Sequence, residues 1–224
     1  MNASEFKKLV AEHFSPKIRD LGWKGSGFHF RKMQENGIGN IFGIQGSWYG
    51  GEVCCETAIN FEFMNKLYGI EFKKETYASS LIRKRLSPKG EGDHHWYFSN
   101  NIEKNIESVN SIWKAFEKHG LNFYNDFNNF PHPFDKIKPK DLKSGKSHKI
   151  LGKYFVVNQI ELTNILKELN LLLGNTRIAE EFSRVGLERI NEHSKRILTG
   201  NKNNKYYKQS EKYIEKLIKN MKIK

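Results

Sequence analysis

The chain has 224 residues, 38% of them hydrophobic and 13% aromatic, with 38 basic against 25 acidic side chains and a net charge of +13. So many rings exclude a disordered chain, because there is enough apolar surface to offset the entropy of ordering. No apolar run approaches the ~20 residues of a membrane helix, no signal-type apolar core lies near the N-terminus, and the only cysteines are the adjacent Cys54 and Cys55. These features point to a soluble, reduced, cytoplasmic protein with no disulfide framework, no cofactor motif and no membrane partner.

The first element in chain order is a helix, with Phe6, Leu9, Val10 and Phe14 on one stripe and Asn2 and Glu5 spaced as a capping pair. Ser15 is placed to cap a second short helix, with Pro16 in its first turn and Gly22 at its stop. Strand patterns follow. Phe28 and Phe30 alternate with His29 and Arg31; after Asn36-Gly37, residues 40–48 put Phe42, Ile44 and Trp48 on one side. Residues 52–63 then align Val53, Cys55, Thr57, Ile59, Phe61 and Phe63. Shorter strands are expected at 81–86 and 95–98, and the short connections predict an antiparallel meander packed on one side.

Ile102, Ile106, Val109, Trp113 and Phe116 define a long helix with Gly120 as its C-terminal cap, followed by an aromatic, irregular stretch through Phe134. Two helices separated by Gly174-Asn175 and a basic amphipathic helix over 207–221 complete the chain. The expected class is therefore α+β, an antiparallel sheet of about five strands with helices on one face and a C-terminal helical extension. The divisions are a core domain at 1–135, a basic linker at 136–153, a helical hairpin at 154–198 and a basic amphipathic tail helix at 199–224.

Charge is unevenly spread. Residues 1–120 carry 17 basic and 14 acidic side chains, residues 121–224 carry 21 and 11. Such a basic region can bind phosphate backbones by counterion release, here through Lys195, Arg196, Lys205, Lys208, Lys212, Lys216 and Lys219. The bland reading is a solvated surface: 30 of the 38 cations are Lys and 22 residues are Asn, a bias that AT-rich coding also produces.

Among chemistry-bearing groups, His94 and His95 are adjacent, so an extended backbone points them to opposite faces and argues against one metal ion. Cys54 would be reactive only beside a cation, and Cys55 belongs to the apolar face. The glycines at 22–27 run from helix to strand, the reverse of a phosphate-binding loop, and read as a turn. The strongest candidate is polar and strand-borne. Arg31, Gln45, Asn60, Arg83 and Arg85 all oppose their strands' apolar residues, and they include three of only eight arginines. Neighbouring guanidinium groups would hold a carboxylate or phosphate, with His95 and Trp96 close by; the alternative is a solvated face of ion pairs to Glu56 and Glu62.

The segments LGWKGSGFHFRK at 21–32, Gln-Gly-Ser at 45–47, AINFEF at 58–63 and RKRLSPKGEGDHHWYF at 83–98 occur in that order. Together they resemble the domain of unknown function 4304 family of uncharacterised bacterial proteins, over about the first 130 residues. The correspondence falls on Gly22, Phe30, Arg31, Gln45, Asn60, Arg83, Arg85, Asp93 and Trp96; Trp23 stands where Phe is usual and His95 where a second Trp is frequent. The resemblance implies an α+β domain and carries no established activity, hence no catalytic residue.

The leading expectation is a non-catalytic binding module that recognises an acidic group on a protein or small ligand. Sequence-independent nucleic-acid binding is the alternative. A third reading is an enzyme that pairs the Arg31, Arg83 and Arg85 cluster with His95 as acid–base. The pattern holds no signal of oligomeric state.

Overall fold

A computed structural model describes residues 1–143, 152–154, 156, 158–199, 202 and 204–223. The chain divides into two compact units. One comprises Met1–Pro133 with Lys153 and Tyr154, and the other Phe134–Gly152 and the chain from Val156 onward.

In the first unit, α1 (Ala3–His13) opens on the expected capping box: Glu5 N–H donates to Asn2 Oδ1 at 3.0 Å and Asn2 N–H to Glu5 Oε2 at 2.8 Å. The next helix, α2 (Ser15–Asp20), starts directly after Phe14. Ser15 does not cap it; its hydroxyl donates to Val10 O at 3.2 Å. The strands are β1 (Lys24–Ser26), β2 (His29–Met33), β3 (Ile38–Gly46), β4 (Glu52–Phe61), β5 (Ile82–Leu86) and β6 (Trp96–Tyr97). They form an open antiparallel sheet in the order β1-β2-β3-β4-β5, with β6 pairing the start of β4 beside β5. Trp48, expected on the apolar side of β3, is 96% exposed in the β3–β4 turn, because the strand ends two residues earlier.

One sheet face carries the core. Phe14 stacks on Phe42 with ring centroids 5.2 Å apart, and Phe116 meets Phe42 at 4.9 Å. Phe6, Val10 and Ile18 of the N-terminal helices are fully buried, as are Val109 and Ile112 of α4 (Ile102–Ala115), where α3 is the intervening Glu62–Tyr68. Each such side chain contributes roughly 1.5–3 kcal/mol on burial. Gly120 does not end α4. Its φ of −67° is helical, and the chain continues through a π-type turn at Phe116–Gly120 into α5 (Leu121–Asn125). A Cβ at Gly120 would sit 2.9 Å from the Phe116 ring and 3.4 Å from Thr57 on the sheet, which explains the glycine by close approach.

The other sheet face is partly covered. Residues 62–80, comprising α3 and two 3₁₀ turns, cross back over it. Gly39 and Gly43 of β3 make this crossing fit. A Cβ at Gly39 would lie 2.3 Å from the Phe72 ring, and one at Gly43 2.0 Å from the Tyr77 ring.

The second unit contains α6 (Pro139–Leu142), α7 (Gln159–Leu172), α8 (Thr176–Ile197) and α9 (Lys205–Met221). The segment 144–151, within the expected basic linker, lies outside the described residues. Helices α7 and α8 join at Gly174, whose φ of +74° makes the turn. Ile190, Ile214 and Met221 form a buried cluster between α8 and α9, and Gly186 of α8 leaves the space that Met221 fills. The last turn of α9 is tied down by two donors: Ser183 Oγ bonds Met221 O at 2.8 Å, and the buried Lys167 ammonium of α7 bonds Asn220 O. A cation at a helix C-terminus also meets the favourable end of the helix dipole.

Candidate functional site

The β-pairing decides which polar residues meet. Arg31 of β2 stands opposite Ile41 of β3, Ile41 opposite Ala58 of β4, and Ala58 opposite Arg83 of β5. Gln45 faces Cys54, Asn60 faces Gly39, and Arg85 faces Glu56. Alternation from these pairs puts Arg31, Gln45, Asn60, Arg83 and Arg85 on the face opposite the helices. His95 shares it, with Nδ1 3.1 Å from Glu52. Trp96 does not. It pairs with Val53 on the core side, is 3% exposed, and donates its indole N–H to Ser111 Oγ at 3.1 Å.

Sharing a face is not sharing a site. Arg31 and Arg83 are three strand spacings apart, about 14 Å. Phe72 and Tyr77 lie over β3 between them. The three guanidinium groups therefore fall into two separate clusters, not the single one that alternation suggests.

The first cluster neutralises itself. Glu56, 5% exposed, sits 3.5 Å from Arg83 Nη1 and 3.2 Å from Arg85 Nε, and Arg85 also approaches Asp93 at 3.8 Å. Arg85 further donates to Cys54 Sγ. Burial would lower the Arg85 pKa, but its interactions with Cys54, Glu56 and Asp93 together raise it above the ordinary value. Cys54 thus has the cation that sequence could not identify. Burial nevertheless leads and raises its thiol pKa, with Arg85 only opposing, so the sulfur is a protonated thiol at neutral pH. The imidazole of His95 is held between Glu52 and Asp93, and that of His94 packs edge-on against Trp96 at 4.5 Å. Among the described residues, no three His, Cys, Asp or Glu side chains are grouped to hold a metal ion. A shallow cleft of about 330 Å³ lies here, lined by Glu56, Arg83, Lys84, Arg85, Gly92 and Asp93.

The second cluster has the opposite electrostatics. A cleft of about 410 Å³ is lined by Gly22, Lys24, Gly25, Arg31, Lys32, Met33, Phe72 and Lys73: four cations and no carboxylate. It forms where β1 stops short and leaves the end of β2 beside the turn after α2. Arg31 is anchored by donating its Nε–H to Glu75 O, and Lys32 Nζ donates to Leu21 O at 2.8 Å at the end of α2. Burial lowers the Arg31 pKa, with Glu75 only partly opposing, whereas Arg85 is paired directly with Glu56 and Asp93. Lys73 pairs with Glu71 at 3.1 Å, but both side chains are more than half exposed, and such a pair is worth only about 0–1 kcal/mol. Lys24 has no acidic partner among the described residues.

Of the cleft's lining, sequence reading singled out only Arg31 as a site residue. The Gly-rich segment 22–27, expected to be a turn, is a turn only at its two ends: Lys24–Ser26 between them form β1, pairing with β2, and Gly22, Lys24 and Gly25 line the cleft. Lys73 and Phe72 arrive on the crossing segment, which has no periodicity to announce where it lies.

An antiparallel sheet with paired helices on one face and a folded-back segment on the other defines an α+β domain with two polar clusters on its covered face. The family model for the domain of unknown function DUF4304 matches residues 14–126, half of the chain, and the chain belongs to that family. No curated protein and no solved structure matches it.

Proposed function

We propose that this protein is a binding module whose ligand carries an acidic group, a carboxylate or phosphate, seated in the cleft of Lys24, Arg31, Lys32 and Lys73. The observation that carries this reading is the contrast between the two arginine clusters. Arg83 and Arg85 already hold Glu56 and Asp93, whereas the Arg31 cleft is lined by four cations and no carboxylate, with Glu75 acting on Arg31 and the exposed Glu71 on Lys73 from outside the lining. An anion entering the Arg31 cleft supplies negative charge that the cleft's lining lacks. Phe72 and Met33 offer apolar contact for the rest of the ligand, and a volume of about 410 Å³ suits a small molecule.

The test is NMR or calorimetric titration with citrate and with inorganic pyrophosphate at low salt. Saturable binding is expected, weakened about tenfold (about 1.4 kcal/mol) in Lys24→Gln/Lys73→Gln, whose side chains are exposed and leave the fold intact. Absence of saturable binding, or equal binding by the double variant, overturns the reading.

A further inference from the structure

The apolar face of α9 is packed, which leaves its outer face to be explained. Lys205, Lys208, Lys212, Lys216 and Lys219 follow at i, i+3, i+7, i+11 and i+14, so they form one stripe opposite Ile214 and Met221. Fourteen residues at 1.5 Å each make the stripe about 21 Å long. All five side chains are exposed, and none pairs with a carboxylate among the described residues, although Glu211 and Glu215 lie along one flank. Along the other flank stand Tyr206 and Tyr213, seven residues and about two turns apart, 77% and 45% exposed. Tyr213 also lines a cleft of about 300 Å³ with Arg189, Glu192, His193 and Arg196.

We infer that this face of α9 binds single-stranded nucleic acid, the lysine stripe tracking phosphates while Tyr206 and Tyr213 stack on bases. A lysine stripe alone would serve any polyanion. Two exposed rings held on the same helix flank are the additional feature, because a ring face is matched by an unpaired base and not by a duplex backbone. The helix is fixed for this purpose by Lys167 and Ser183 at its C-terminal carbonyls, so the rings and ammonium groups keep a common spacing. This inference is independent of the small-anion cleft, which lies in the other unit.

The experiment is fluorescence anisotropy of a labelled oligothymidine of about 20 nucleotides with the full chain. Five phosphate contacts predict a log–log salt slope near −3.5, an affinity loss of about 100-fold between 50 and 200 mM salt. Lys212→Gln/Lys216→Gln should bring the slope to about −2. Tyr206→Ala/Tyr213→Ala should weaken binding about tenfold or more at unchanged slope, and a duplex of equal length should bind more weakly than the single strand. Thermal unfolding checks that these surface variants remain folded. No anisotropy change at 50 mM salt overturns the inference. So does duplex binding as tight as single-strand binding with no effect of the tyrosine variant, which would mark a mere polyelectrolyte. A loss in Lys24→Gln/Lys73→Gln as large as in the α9 lysine variant would place the binding elsewhere and also refute it.

Discussion

Glu56→Gln tests the electrostatic logic that separates the two arginine clusters. The carboxylate is 5% exposed and lies 3.2 and 3.5 Å from the Arg85 and Arg83 guanidinium groups. Glutamine keeps the volume and an acceptor oxygen but removes the charge, leaving two cations facing each other. Breaking a fully buried pair costs about 3–5 kcal/mol. Here the arginine side chains are 43% and 31% exposed and can recover water, which brings the expected cost to about 2 kcal/mol. For a unit of this size that is a drop of about 8 °C in Tm, read by differential scanning calorimetry. The informative part is the anion dependence. With Glu56 neutralised, the cleft beside Arg83 and Arg85 becomes cation-rich, so phosphate should raise the variant's Tm more than the wild type's, by binding the folded state. An unchanged Tm, or the same phosphate increment in both proteins, would show that Glu56 is not the internal counter-ion and would refute the contrast on which the proposed function stands.

The other expectations concern stability. Lys167→Ala removes the ammonium that bonds Asn220 O and pairs with Glu168 at 2.6 Å; it should destabilise the helical unit by about 3 kcal/mol, and Lys167→Met by less because the packing volume stays filled, as read by denaturant unfolding. The pKa of His29 is pushed below the ordinary 6.5 by burial, then by Arg31 and Lys7. The unfolded chain therefore binds the proton more readily, and stability is lost as pH falls below about 6.5 toward the depressed folded-state value. His29→Gln should flatten that part of the Tm–pH curve; an unchanged slope between pH 6.5 and 5 would refute the assignment.

The legible parts of this fold were those with one dominant period. The stripe of α1 translates directly into burial, and the twofold pattern of β4 puts Val53, Cys55, Thr57, Ile59 and Phe61 on the core face, all within 2% of full burial, although Cys54, Glu56 and Ala58 on the covered face are buried as well. The alternation that placed Arg31, Gln45, Asn60, Arg83 and Arg85 on one face agrees with the register of the sheet as well. What it lacked was distance across the sheet and the identity of whatever lies on that face. Residues 62–80 have no strong period, and their position follows from the missing side chains of Gly39 and Gly43, a signal that reads in sequence only as weak strand propensity. Trp48 and Gly120 failed for local reasons: a strand that ended early, and a helix that passed through a glycine because a ring needed the room.

The two binding proposals occupy separate stretches of chain, and that separation gives each its own control. The DUF4304 match ends at residue 126, so it includes Lys24, Arg31, Lys32 and Lys73 and excludes α9 altogether. If the cationic cleft is the working site of the matched domain, Lys24→Gln/Lys73→Gln removes pyrophosphate binding and leaves oligothymidine binding intact. If α9 provides the nucleic-acid surface, the tyrosine variant does the reverse. A protein in which both activities fell together in either variant would have one continuous anion surface instead of two sites, and the assignment of separate roles to the two units would fail.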